Sequence, residues 1–134
     1  MKKYIPFILL WIAFDMQGCS GEILGQETPI EDTLAPEVMV FQPANEQTYG
    51  LGDSIALEMD VSENFKLHDI FVELKKSSDD EVLWDYYVHS HLKSYSVREV
   101  IPVGLLSKGT YVLLIESRDH DYNTTNVLRT FTIE

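Results

Sequence analysis

An all-β, seven-stranded sandwich is the fold this sequence predicts, and three observations predict it. Apolar residues alternate with polar ones at period two in seven segments after residue 36. These segments recur at roughly ten-residue spacing, with turn chemistry between them. No segment carries the period of an amphipathic helix, so parallel α/β architectures, whose strands need helical crossovers, are excluded.

The chain has 134 residues, the size of one domain, and its first 18 stand apart. Lys2 and Lys3 form a positive n-region, and Tyr4 to Phe14 form an apolar run too short to span a bilayer. Gly18 precedes Cys19, the only cysteine. This pattern resembles a bacterial lipoprotein signal. It implies removal of residues 1–18 and lipidation of Cys19 as the new N-terminus. The alternative is an ordinary signal peptide followed by a chance cysteine. In either case no disulfide staples the domain, and burial alone must stabilise it. The lipid implies export and anchorage in the outer membrane or at the cell surface.

Residues 19–35 are polar and acidic, carry Gly21, Gly25 and Pro29, and show no periodicity. They read as a flexible tether. The domain is expected over residues 36–134, with strands at Val38–Phe41, Asp53–Val61, His68–Lys76, Val82–His91, Tyr95–Pro102, Gly109–Asp119 and Asn126–Ile133. Asn45–Gly52 reads as a turn-rich connection. In the Asp53 strand, Ile55, Leu57, Met59 and Val61 alternate with polar residues, as in a strand buried on one face. In the Gly109 strand, the central one, Tyr111, Leu113 and Ile115 share one face. Trp84 and Tyr86 sit at core parity, with Tyr87, His89 and His91 opposite.

Tyr111, near the start of the sixth strand, resembles the corner tyrosine of immunoglobulin-like domains, although no Cys-Trp-Cys signature accompanies it. The Asp32–Pro36 run, the Tyr49–Ile55 turn and strand, and Gly109-Thr110-Tyr111 leading to Arg118-Asp119 resemble bacterial immunoglobulin-like repeats. More narrowly, with His89-Ser90-His91 between the middle strands, the chain resembles the Bacteroidetes lipoprotein family called domain of unknown function 4625. That family implies the sandwich and no activity. Its members read Asp-x-x-Gly-Asn after the sixth strand; here His120, Asp121, Tyr122 and Asn123 follow Asp119 without the glycine. Asp32-Thr33-Leu34 also resembles a Bacteroidetes acceptor triplet for O-linked glycans.

Net charge is −12. The leader holds two lysines and one aspartate, so its removal leaves −13. An acidic surface without a basic patch repels phosphate backbones and excludes nucleic-acid binding. No nucleophile elbow, zinc-protease helix or phosphate loop is present, so a non-enzymatic role is expected.

One constellation carries chemistry. If successive strands run up and down, all four histidines (His68, His89, His91, His120) arrive at the tethered pole, with Asp60, Glu63, Asp69, Asp119 and Asp121 nearby. His89 and His91 on one strand face stand about 6–7 Å apart, workable for two imidazoles on one ion. Imidazole with carboxylate suits Zn²⁺ or Cu²⁺, held by His68, His89, His91, His120, Asp119 and Asp121. The bland alternative is a set of solvated loop histidines, with Glu63, Asp69 and Glu73 as ordinary surface carboxylates.

Calcium is a second possibility, through Asp60, Glu63, Asp119, Asp121 and Asn123. Asp119-x-Asp121-x-Asn123 begins like an EF-hand loop, but Thr124 and Thr130 replace its glycine and its closing glutamate. Three functions stay open: a metal-binding envelope accessory, a structural or protein-interaction module without a small ligand, and a glycan-binding module using Trp84, Tyr86 and Tyr87.

Overall fold

The computed structural model describes Glu31–Glu134. The leader, Cys19 and the first part of the tether lie outside the described residues. Among the described residues eight strands form, in two sheets: β1 (Glu37–Gln42), β2 (Gln47–Tyr49), β3 (Ile55–Ser62), β4 (Leu67–Lys76), β5 (Val82–His89), β6 (Ser94–Ile101), β7 (Gly109–Asp119) and β8 (Thr124–Ile133). One sheet has the order β1-β3-β6 and the other β2-β8-β7-β4-β5. A short 3₁₀ turn, Val103–Leu105, lies between β6 and β7.

Seven of the eight match the expected segments, and β2 corrects the count. The chain breaks its first ladder at Pro43, which has no N–H to give. It then crosses to the second sheet and pairs parallel with β8, Gln47 opposite Phe131. Glu46 N–H donates to Thr130 O at 2.6 Å, and Glu134 N–H to Tyr49 O at 3.0 Å. Three residues are too few to display a period. Their hydrogen-bond partners lie more than eighty residues away, so the segment read as a connection.

Period two is realised across the core. Ile55, Leu57, Met59 and Val61 of β3 meet Ile70, Val72 and Leu74 of β4 and Tyr111, Leu113 and Ile115 of β7 in one apolar cluster. Val97, Ile101, Phe131 and Ile133 complete it. Tyr111 is fully buried and stacks on Phe131, centroids 5.5 Å apart. Its hydroxyl donates to Ser107 O at 2.7 Å and accepts from Ser107 N–H at 2.9 Å, tying β7 to the turn before it. Gly109 opens the strand at φ +146°, a region that side chains rarely enter.

The alternation also sets the chemistry of the pole. Continued past Val61, the inward face of β3 reaches Glu63; continued past Ile115, that of β7 reaches Ser117 and Asp119. All three are buried. Two carboxylates from opposing sheets thus roof the apolar core. Phe71 points outward from β4 and is covered from its own sheet, by stacked Tyr87 at 4.8 Å and by Arg118.

Candidate metal centre

Strand β4 begins with an irregularity that positions the site. Leu67 pairs with Asp119 of β7 and Asp69 with Arg118, which leaves His68 as an extra, unpaired residue. Leu67 enters the core, the bulge absorbs His68, and Asp69 lands on the outer face opposite His89 of β5. Without the bulge, parity would send His68 into the apolar interior.

Asp69 is not an ordinary surface carboxylate. Only 7% of it is exposed, and it collects three partners. Its Oδ1 accepts from the Tyr87 hydroxyl at 2.9 Å and lies 2.9 Å from His89 Nδ1. Its Oδ2 lies 2.7 Å from His68 Nδ1, close enough to pair but too oblique for a hydrogen bond. Burial pushes the Asp69 carboxyl up, yet the hydrogen bonds from His89 and Tyr87 and the His68 charge outweigh it. The net position is below the usual carboxylate range. In return the hydrogen bond to Asp69 holds the Tyr87 hydroxyl above its ordinary value.

The four imidazoles close a ring. Centroids are 4.6 Å apart for His68–His89, 4.6 Å for His89–His91, 4.8 Å for His91–His120 and 4.7 Å for His120–His68. The diagonal from His68 to His91 is 6.4 Å. Ring nitrogens touch along one side of it: His89 Nε2 lies 3.1 Å from His91 Nε2, and His91 Nδ1 lies 2.7 Å from His120 Nε2. One set of neutral tautomers satisfies the whole run. His120 donates to His91, His91 to His89, and His89 to Asp69. Burial, followed by repulsion from His68 and His91 whenever those rings are protonated, depresses the His120 pKa and favours its neutral form.

Strand β5 ends at His89, two residues earlier than expected, and the chain leaves the ladder. That departure turns His91 back over His89, closer than a straight strand allows. Ser90 stays buried and its N–H donates to His68 O at 2.9 Å, which fastens this corner to the bulge. His68, Asp69 and His89 each offer a ligand atom within 4.8 Å of the others. Nitrogens about 3.3 Å apart share a tetrahedral Zn²⁺ with bonds of about 2.0–2.1 Å, and the 3.1 Å pair of His89 and His91 is close to this. Asp69 behind His89 Nδ1 supplies the carboxylate–imidazole support common to metal-bound histidines.

Other expected ligands lie elsewhere. Asp119 turns to Asn123, whose N–H and amide donate to its two oxygens at 2.8 and 2.6 Å. Asp121 is exposed and accepts from Asp32 N–H at 3.2 Å. Asp60 sits at outward parity on β3, pairs with Arg98 at 2.9 Å and accepts from Ser96 at 2.8 Å. It therefore does not join Glu63 and Asp119. Asn123 presents its amide nitrogen to Asp119, which is a donor and no calcium ligand. Asp32, assigned to the tether, is docked: Asn123 donates to its carbonyl at 2.8 Å and Asn64 to its Oδ1 at 3.2 Å. Trp84 and Tyr86 pack half-buried against the core.

No protein-family model matches the chain, and no curated protein matches it. Among solved structures, it is similar to wild-type OgpA from Akkermansia muciniphila, with a TM-score of 0.52 and 15% identity. The match covers 79% of this chain and 30% of that one, so the chain spans under a third of the length of OgpA. At that identity the likeness speaks for the fold alone.

Proposed function

We propose that the chain is a cell-envelope lipoprotein, anchored through Cys19, whose immunoglobulin-like sandwich is a non-enzymatic binding module for Zn²⁺ or Cu²⁺. The observation that carries the reading is the closed ring of His68, His89, His91 and His120 backed by buried Asp69. His89 and His91 are the primary ligands, through Nε2; His68, which offers a ligand atom within 4.8 Å of Asp69 and His89, joins them, while Asp69 orients His89 and His120 holds His91 through Nδ1. The buried Tyr111 corner and the two-sheet order support the immunoglobulin-like class, with β2 as a split first strand. The lipoprotein family named above for residues 32–134 is consistent with this reading.

The test is titration of the full chain with Zn²⁺ and Cu²⁺ in a Cys19→Ser background, which keeps a free thiol out of the measurement. Melting temperature should rise with micromolar metal. A hundredfold excess over Kd adds about 2.7 kcal/mol to stability. The rise should vanish in a His89→Ala, His91→Ala double variant. No shift with either ion sinks the proposal and leaves a structural or interaction module; a glycan array then addresses sugar binding.

A further inference from the structure

A second group of charges lies at the same pole, separate from the imidazoles. Asp32, ahead of β1, Glu63, after β3, and Asp119, at the end of β7, each offer an oxygen within 4.8 Å of the others. They come from three separate stretches of chain, so the fold brings three negative charges together. Among the described residues none of the three forms an ion pair with Lys, Arg or His.

The oxygens are unequally provided for. Glu63 is nine-tenths buried, at 9% exposure. Its Oε1 accepts from Asn64 N–H at 2.6 Å, while its Oε2 is buried with no partner. Asp32 repeats the pattern: Oδ1 accepts from Leu34 N–H at 3.1 Å and from Asn64, and Oδ2 is buried and unpartnered. Asp119 is 1% exposed, and each oxygen that takes a bond from Asn123 keeps a second lone pair. A buried carboxylate oxygen without a donor costs free energy, and a cluster of three compounds that cost by repulsion. A cation removes both penalties.

We infer that Asp32, Glu63 and Asp119 form a Ca²⁺ site that clips the segment ahead of β1 onto the pole of the sandwich. This inference is independent of the transition-metal reading. The donors are all oxygen, which suits a hard cation. Ligands on opposite sides of Ca²⁺ stand about 5 Å apart, and three carboxylates from three loops make the irregular set that Ca²⁺ tolerates and Mg²⁺ does not. Water supplies the remaining positions. Asp119 precedes His120, so an ion here also steadies the turn that carries the fourth imidazole.

The experiment follows melting of the full chain, first treated with EDTA, as Ca²⁺ is raised into the millimolar range of extracellular calcium modules. The midpoint should climb with Ca²⁺. Limited proteolysis should show the bond after Glu31 protected as it does. Glu63→Gln removes a repelling charge while keeping the shape, so it should melt higher than the parent without calcium and lose at least about tenfold in Ca²⁺ affinity. Asp32→Asn, outside every strand and so harmless to folding, should lose affinity likewise. Asp60→Asn and the His89→Ala, His91→Ala double variant should respond as the parent does. A flat response to millimolar Ca²⁺, an equal response to Mg²⁺, or full response in both Glu63→Gln and Asp32→Asn overturns the inference.

Discussion

Asp69 Oδ1 stands 2.9 Å from His89 Nδ1, and the opposite nitrogen of the same ring stands 3.1 Å from His91 Nε2. One buried carboxylate thus determines which nitrogen of His89 faces its neighbour. Asp69→Asn keeps the shape but loses the charge that favours a proton on Nδ1. Zn²⁺ affinity should fall by about 10–100-fold, the range for loss of a supporting carboxylate, and calorimetric titration reads it directly. Unchanged affinity would mean that Asp69 only braces the sheet.

Acid should weaken the metal-free fold in two stages. His120 has a depressed pKa in the fold, so its contribution is present above the unfolded value of about 6.5 and is lost as pH falls through the lower folded value. Asp69 is depressed as well, so its contribution is present above about 3.9 and lost as pH falls below that. Chemical denaturation followed from pH 8 downward should show both stages in that order. His120→Gln should remove the upper stage alone.

Tyr111→Phe deletes the two hydrogen bonds to Ser107 while leaving the ring stacked on Phe131. The expected loss is about 1–3 kcal/mol in urea unfolding. Metal affinity should not change, because the corner lies at the opposite end of β7 from His120.

Gly109→Ala should cost about 1–3 kcal/mol, since φ of +146° is open to glycine and strained for alanine. The new methyl also meets Lys76 Cε at 2.7 Å, but that flexible side chain can move aside. Lys76→Ala in the same chain should therefore recover little of the loss, and a full recovery would place the cost in the contact.

Much of this architecture is legible along the chain because strand alternation is local. Ile55 to Val61 and Tyr111 to Ile115 announce their buried faces through neighbours two residues away, and short connections then send His68, His89, His91 and His120 to one pole. The same parity puts Asp60 on the outward face of its strand and, carried past Val61 and Ile115, turns Glu63 and Asp119 inward. Strand β2 escapes notice because its pairing with β8 is its only reason to be a strand.

By itself, then, the sequence determined an all-β chain, seven of its eight described strands and the gathering of its imidazoles, because these follow from period and turn chemistry. Only the tertiary structure decided that His68 is extruded at a bulge, that Asp69 is buried behind His89, and that Asp32 belongs with Glu63 and Asp119. Each of those depends on which residue of one strand stands opposite which of another. That register is settled by packing between distant segments, and no single stretch of chain records it.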